Sequence, residues 1–396
     1  MLIAFSDTDF VVEVPDEREF LDALRGAAIG WPFAPVEDGR LPVATIEAVG
    51  RAYRILSDDG EPVEVSAVGA ACSAIVDVVK GYVNQHPKRL CFHCASIEFN
   101  GRLVIFPSRY RAGKSTLAAR LAVNRHVVFG DDVLPLAEGD RDGIALGLAP
   151  RLRLPLPGNA SEAFRRFVVR HAGPSDEFYQ YLNLPNGGLA KGGSTLPLGA
   201  VVLLDRRPEG SVRIGRAGRS AALRALITRN FARGEPAGIV LDRLHAVMER
   251  LPLFVLQYSD LEDAVIALER VFSTWPPRID ELAVVDEMPV AAESEDVSVY
   301  PVADGSRLRQ NPAIRLRAID GELFLTDDEG LAIYHLNAVG AGLWNLLTAP
   351  TSETEAIEVL RGAFPDADPD VVARDVRTLF AALLAGKFAL AGDTTP

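Results

Sequence analysis

Three cysteines, Cys72, Cys91 and Cys94, are too few to staple a 396-residue chain with disulfides. Cys91 and Cys94 form one C-x-x-C pair around His93, but no second pair exists to complete a four-cysteine zinc site. Both therefore read as buried strand residues. No run approaches the roughly 18 uninterrupted apolar residues of a membrane span. The opening MLIAFSDTDF lacks the basic region of a secretory signal. The expectation is a cytoplasmic protein with no membrane partner. Basic charge is also in deficit, 41 Lys and Arg against 54 Asp and Glu for a net of −13, which disfavours nucleic acid as a partner. What is plentiful is core-forming material: 48% of the residues are hydrophobic and 24% charged, enough for two or three globular domains.

The acidic excess is not spread evenly. Residues 1–275 hold 32 basic and 33 acidic side chains, residues 276–296 hold one and seven, and residues 297–396 hold eight and 14. The middle stretch also carries Pro276, Pro277 and Pro289. It reads as a linker, bounded at 276–298, between a large domain (1–275) and a small one (299–392). In the first 90 residues, an N-terminal α/β part of the large domain, strands are predicted at Phe10–Val14 and Ala52–Leu56. Helices are predicted at Glu17–Ala28, capped by Asp16, and at Val68–Val83.

The informative segment starts at Leu90. CFHCASIEF, Asn100-Gly101 and RLVIF read as a hairpin, because Asn-Gly tolerates the positive φ angles of a two-residue turn. The second strand runs into Pro107-Ser108-Arg109-Tyr110-Arg111-Ala112-Gly113-Lys114-Ser115-Thr116, and a helical run follows. Backbone N–H groups at a helix N-terminus attract an anion. Gly113 admits phosphate close to the backbone, Lys114 neutralises it, and the Ser115 hydroxyl suits Mg²⁺. The nucleotide set is Arg109, Arg111, Ala112, Gly113, Lys114, Ser115 and Thr116. Ser108 stands where the full loop pattern has glycine. A further strand empties into Asp131-Asp132, a pair suited to holding Mg²⁺ (Ser115 with Asp131) and to activating an acceptor hydroxyl. Between Glu98 and Asp131 there is no acid and there are six basic residues, a local cationic stretch that suits a polyphosphate. Farther on, Arg151 and Arg153 point to phosphate or acceptor, and Lys191 lies in a Gly-rich NGGLAKGGS. Six arginines from Arg213 to Arg233 fill an acid-free stretch, and one of them is a candidate for the site.

FHCASIEFNGRLVIFPSRYRAGKSTLAARLAVNRHVVFGDDVLPL resembles the HPr kinase/phosphorylase-like P-loop kinases, with lasso-peptide kinases nearest. The resemblance implies an α/β P-loop kinase domain of the HPr kinase type that uses ATP and Mg²⁺. It makes His93, Lys114, Asp131 and Asp132 the catalytic set, with His93 assisting a carboxylate base. It leaves the base open between the two aspartates, with Asp132 favoured. The signature of an HPr-modifying enzyme is absent, so HPr itself is not the expected substrate.

In the small domain, Arg315–Ala318, Glu322–Thr326 and Leu331–Leu336 read as strands, the first two joined by Asp320-Gly321. Three helices follow, capped by Asn337, by Ser352 with Glu355, and begun at Asp368. The phrases LAIYHLNAVGAGLWNLL and FAALLAGKFAL resemble the PqqD-like domains, a small α+β winged helix-turn-helix variant. That resemblance implies capture of the leader of a ribosomally synthesised precursor peptide as an added edge strand. The peptide-binding set it implies is Leu331, Ile333, His335, Val372, Val376 and Leu379. The whole reads as an ATP-dependent serine kinase of a precursor peptide, with homo-oligomerisation left open. The alternatives are a nucleotide-binding adaptor without phosphotransfer, or a small-molecule kinase.

Overall fold

Short alternating strands and two helices with one apolar face account for the first 85 residues. The computed structural model describes residues 1–37, 39–56, 63–109, 112–232, 234–278, 306–327, 330, 332–366 and 368–391. The stretch proposed as a linker therefore lies almost wholly outside the described residues, as do Arg111 and Leu331. Strands β1 (Leu2–Phe5), β2 (Val12–Glu13), β3 (Phe33–Pro35), β4 (Thr45–Val49), β5 (Ala52–Leu56) and β6 (Val63–Val65) form one sheet in the order β3-β1-β2-β4-β5-β6. Helices α1 (Arg18–Ala27) and α2 (Ala67–Gln85) pack on it through Phe20, Leu24, Ala70, Ala74 and Val78, all fully buried. The cap of α1 is Glu17 rather than Asp16, and Glu17 makes no side-chain bond to the helix. Its carboxylate instead accepts the Tyr53 hydroxyl at 2.9 Å.

The second sheet positions the candidate site. Its strands include β8 (Ala95–Phe99) and β9 (Arg102–Phe106), joined as expected through Asn100 (φ 49°) and Gly101 (φ 79°). Strand β7 (Cys91–Phe92) precedes them and pairs with β11 (Leu134–Pro135). Helix α3 (Lys114–Val123) and β10 (Val128–Gly130) follow β9, then β12 (Asp142–Ile144), β13 (Arg151–Arg153), α4 (Glu162–Arg170), β14 (Ala172–Ser175), β15 (Tyr179–Leu182), β16 (Thr195–Arg206) and β17 (Arg213–Arg216). After α5 (Arg219–Arg229) and α6 (Ala237–Arg250), β18 (Leu253–Tyr258) and α7 (Leu261–Val271) complete the region. The sheet runs β10-β8-β9-β16-β18-β17, with β12 also on β16. Strands β9, β16 and β18 are mutually parallel, so Phe106, Arg206 and Tyr258 end at the same edge. In a parallel sheet that is the end where ligands collect, because the loops there can diverge. Leu103 to Phe106 are fully buried, each contributing about 1.5–3 kcal/mol of apolar burial, so the loop after β9 springs from a rigid base.

Two units can be distinguished: Met1–Gly218 with Thr228–Gly234 and Ala246–Val290, and Arg219–Ile227 with Glu235–His245 and Ala291–Pro396. Most of α5 and α6 thus belongs with the C-terminal segment. That segment contains β19 (Arg307–Gln310), β20 (Arg315–Ile319), β21 (Glu322–Thr326), β22 (Ile333–Leu336), α8 (Ala338–Leu346), β23 (Thr351–Ser352), α9 (Glu353–Ala363), α10 (Pro369–Ala385) and β24 (Ala389–Ala391). Asp320 (φ 50°) and Gly321 (φ 78°) make the expected turn. Asn337, Ser352 with Glu355, and Asp368 all cap their helices. One face of the β20-β21-β22 sheet carries Leu323, Leu325 and Leu336 into a core with Trp344, Leu360, Val376 and Phe380. Its other face carries Phe324, fully buried, and meets the α5 and α6 segments. Ser220 N–H donates to Asp320 at 3.0 Å, Arg317 pairs with Asp242, and Ala237 N–H donates to Gly330 at 2.9 Å.

Candidate active site

The loop after β9 enters α3 through Gly113 at φ 92°, a left-handed conformation that suits glycine. A side chain there would also meet the Tyr258 hydroxyl, 2.6 Å from the position of a Cβ. That hydroxyl donates to the Ala112 carbonyl at 2.9 Å, and burial pushes its pKa up to about 12, so it stays a donor. Ser108 is tied down as well: its Oγ accepts the Leu204 N–H of β16 at 2.8 Å. The residue that departs from the glycine pattern thus fastens the loop to the neighbouring parallel strand. Arg109 is exposed, with its carbonyl accepting Ala112 N–H at 3.2 Å.

Lys114 is the first residue of α3 and only 7% exposed. Its ammonium turns back over the loop, donating to the Ser108 carbonyl at 2.9 Å and the Arg109 carbonyl at 3.4 Å. Burial lowers its pKa, opposed by the nearby Asp132. Ser115 donates its hydroxyl to Asp131, and Thr116 lies half-buried on the other side of the helix start.

Asp131 and Asp132 follow β10 and differ in kind. Asp131 is 6% exposed and accepts the Arg151 backbone N–H at 3.0 Å. Burial, then the charge of Asp132, raises its pKa to about 6. Asp132 is half-exposed, and its Oδ1 lies 3.3 Å from His93 Nε2. His93 follows β7, and its backbone N–H donates to the Arg229 carbonyl at 2.7 Å. Burial lowers the imidazole pKa; Asp132 pulls it up, while Lys114 and Arg229 push it down. His93, Lys114, Ser115, Asp131 and Asp132 therefore gather in one cluster. Of the arginines at 213–233, Arg229 is the one seen beside it; Arg233 lies outside the described residues.

Arg151 contacts the Cys72 sulfur and stacks over the Tyr179 ring at 4.5 Å. Arg153 lies over the same ring at 5.6 Å. Lys191 is exposed. Burial raises the thiols of Cys91 and Cys94, the latter to about 12, as befits inert core residues. No group of His, Cys, Asp and Glu among the described residues forms a metal cluster. Tyr258, Arg206 and Cys72 had no motif to announce them; only the parallel pairing of β16 with β18 and the packing of α2 bring them here.

In the second unit, Ile333 is half-buried and Leu379 packs partly buried against the core. The expectation for the other three peptide-side residues needs correction. Val372 is 4% and Val376 1% exposed, because these positions of α10 face the domain core. His335 is committed to Glu322, with Nε2 at 2.6 Å from the carboxylate. The α10 positions turned outward include Val371, Arg374 and Asp375.

No helix among the described residues is long and apolar enough to cross a membrane. Comparison with curated proteins finds no match. Among solved structures the chain is similar to "TbiB1 in Complex with the TbiA(beta) Leader Peptide", at 23% identity over 22% of this chain and 98% of that one, with a TM-score of 0.19. Residues 322–388 match the family described as "Coenzyme PQQ synthesis protein D (PqqD)". The C-terminal segment of this α/β protein is a PqqD-like domain.

Proposed function

We propose that the chain is an ATP-dependent kinase that phosphorylates a serine in a ribosomally made precursor peptide, which its PqqD-like segment recruits. The observation that carries the catalytic half is the cluster at α3. A buried lysine and a helix N-terminus sit beside a serine-bound aspartate and a second aspartate next to a histidine. The backbone N–H groups from Ala112 to Thr116 and Lys114 would cradle the triphosphate. Ser115 and Asp131 would hold Mg²⁺, which when bound neutralises phosphate charge. Asp131 is the better metal-side group because its carboxylate already meets the Ser115 hydroxyl.

Asp132 suits the base. It is half-exposed, where an acceptor hydroxyl reaches it, and close to His93. In the transfer step Asp132 takes the serine hydroxyl proton as that oxygen bonds the γ-phosphorus and the β–γ bridge bond breaks, leaving ADP. His93 orients Asp132 through its ring nitrogen. The match at residues 322–388 supports the recruiting half, since PqqD-like domains recognise precursor peptides. Tethering raises the acceptor concentration locally, so the catalytic cluster need not grip the peptide tightly. The test is a pair of equilibrium titrations on the full chain. Lys114→Ala should lose ATP binding by at least tenfold and keep its affinity for the precursor peptide. Unchanged ATP affinity in that variant would contradict the reading.

A further inference from the structure

Strand β13 adjoins the catalytic cluster directly, because the Arg151 backbone N–H holds Asp131 at 3.0 Å. The strand is the edge of a three-stranded sheet with β15 and β14, and its register sets Arg151 opposite Tyr181 and Arg153 opposite Tyr179. Side chains alternate along a strand, so these four share one face. Leu152, between the arginines, is fully buried in the core on the other side. The inner end of the face is closed by Tyr181, which packs with Ala27 of α1 and Val68 of α2. Outward from there it opens: Arg151 and Tyr179 are half-buried, and Arg153 is exposed. Both guanidiniums lie over the Tyr179 ring, and Arg153 also donates to the Tyr179 hydroxyl at 3.1 Å. The charges of Asp131, Asp132 and Asp176 reach Arg151, yet none of these carboxylates pairs with its guanidinium among the described residues. Asp176 instead accepts the Ser66 hydroxyl at 2.6 Å and the N–H groups of Phe178 and Tyr179 at 2.9 and 2.8 Å.

We propose that this face selects the acceptor, and that the peptide it takes is acidic: a serine flanked by carboxylate side chains. The inference rests on the kinase reading above and deepens it by naming the class of peptide. Arg151 and Arg153 are two residues apart on one strand, a repeat of roughly 6.6–6.8 Å. An extended peptide repeats each of its own faces at the same distance. With its serine hydroxyl at Asp132, carboxylates at alternate positions beside the serine fall on the two arginines. The planar guanidinium fork matches a carboxylate with two parallel hydrogen bonds. Stacking on one Tyr179 ring orders both long side chains in advance, which lowers the cost of binding an anion. The arginines also answer an electrostatic problem. Asp131 and Asp132 repel an acidic peptide, and a cationic strip beginning at Arg151 offsets that repulsion where the peptide arrives.

Short synthetic peptides read the face, each with a central serine flanked on both sides by glutamate, by glutamine or by lysine. Titrated into the full-length protein, the glutamate peptide should bind at least tenfold tighter than the glutamine peptide, and the lysine peptide most weakly. Arg153→Gln, at an exposed position, should cut the glutamate preference at least fivefold and change ATP affinity less than twofold. Arg153→Glu should turn the preference toward the lysine peptide. Equal affinity of the unaltered chain for all three peptides would overturn the proposal. So would a glutamate preference that survives both substitutions, because the acidic peptide would then bind elsewhere. A parallel loss of ATP and peptide affinity would assign Arg153 to the phosphates and overturn it too. Transfer is scored separately by mass spectrometry. A glutamate peptide that binds with the expected preference yet gains no phosphate from ATP and Mg²⁺ would sink the kinase reading while supporting acidic-peptide recognition at this face.

Discussion

Two of the histidine–carboxylate pairs among the described residues have opposite surroundings. His93 lies 3.3 Å from Asp132 in the first unit, and His335 lies 2.6 Å from Glu322 in the second. Around His93 the charges conflict. Burial lowers the pKa of His93 and Lys114 and raises that of Asp131 to about 6, and neighbours only partly repair this. Around His335 they are satisfied. Burial alone would raise Glu322, but the Ser220 hydroxyl, His335 and Arg224 together draw it below its ordinary range. A His–carboxylate contact is thus no signature of chemistry in itself. Groups held away from their preferred state fit the proposed catalytic role, whereas the saturated groups form a clasp. Here the clasp fastens the α5 segment to the outer face of the β20-β21-β22 sheet.

The largest effect should come from the conflicted pair. Asp132→Asn should cut phosphate transfer by roughly 10²- to 10⁴-fold while changing the KM for ATP little, as loss of a general base does. Steady-state kinetics check it, and a loss confined to KM would reassign Asp132 to binding. The saturated pair should answer in stability. Glu322→Gln should weaken the second unit by about 1–2 kcal/mol, since Ser220 and His335 lose a charged acceptor. Nucleotide affinity should not move. Because the Glu322 pKa is lowered, its contribution is full above the unfolded value of 4.5 and is lost as pH falls through the folded one. Urea unfolding at pH 7 and pH 4 should therefore show the gap between variant and parent shrinking.

The smallest effect should have the opposite sign. Asp131 binds its proton more tightly when folded, near 6 against 3.8, so ionising it costs stability between those values and fully above them. Asp131→Asn should raise the unfolding free energy at pH 8 by less than the roughly 3 kcal/mol such a shift implies, because the amide accepts the Arg151 N–H and Ser115 hydroxyl less well than the carboxylate, with no gain at pH 3. Loss of stability at pH 8 would mean the ionised carboxylate is better solvated than its burial suggests.

Much of this was legible from residue order. Asn100-Gly101 and Asp320-Gly321 announced their turns, Ser352 with Glu355 its capping box, and the strand–loop–helix around Gly113 its geometry. Those signals are local, and local rules survive folding. What stayed hidden depends on pairing between distant segments. Arg206 and Tyr258 meet only because β16 and β18 run in parallel register. Ser108 departs from the glycine pattern, and its bond to Leu204 depends on a strand far along the chain. On α10, Val372 and Val376, which the resemblance places on the peptide side, lie in the domain core. The grouping of α5 and α6 segments with residues beyond 290 had no sequence signal at all.

The central claim is phosphoryl transfer, and mass spectrometry of the acceptor reads it directly. The full-length protein, ATP and Mg²⁺ should add one phosphoryl group to a serine of the precursor peptide, and Lys114→Ala should add none. An unmodified peptide despite tight binding of both ATP and peptide would contradict the account.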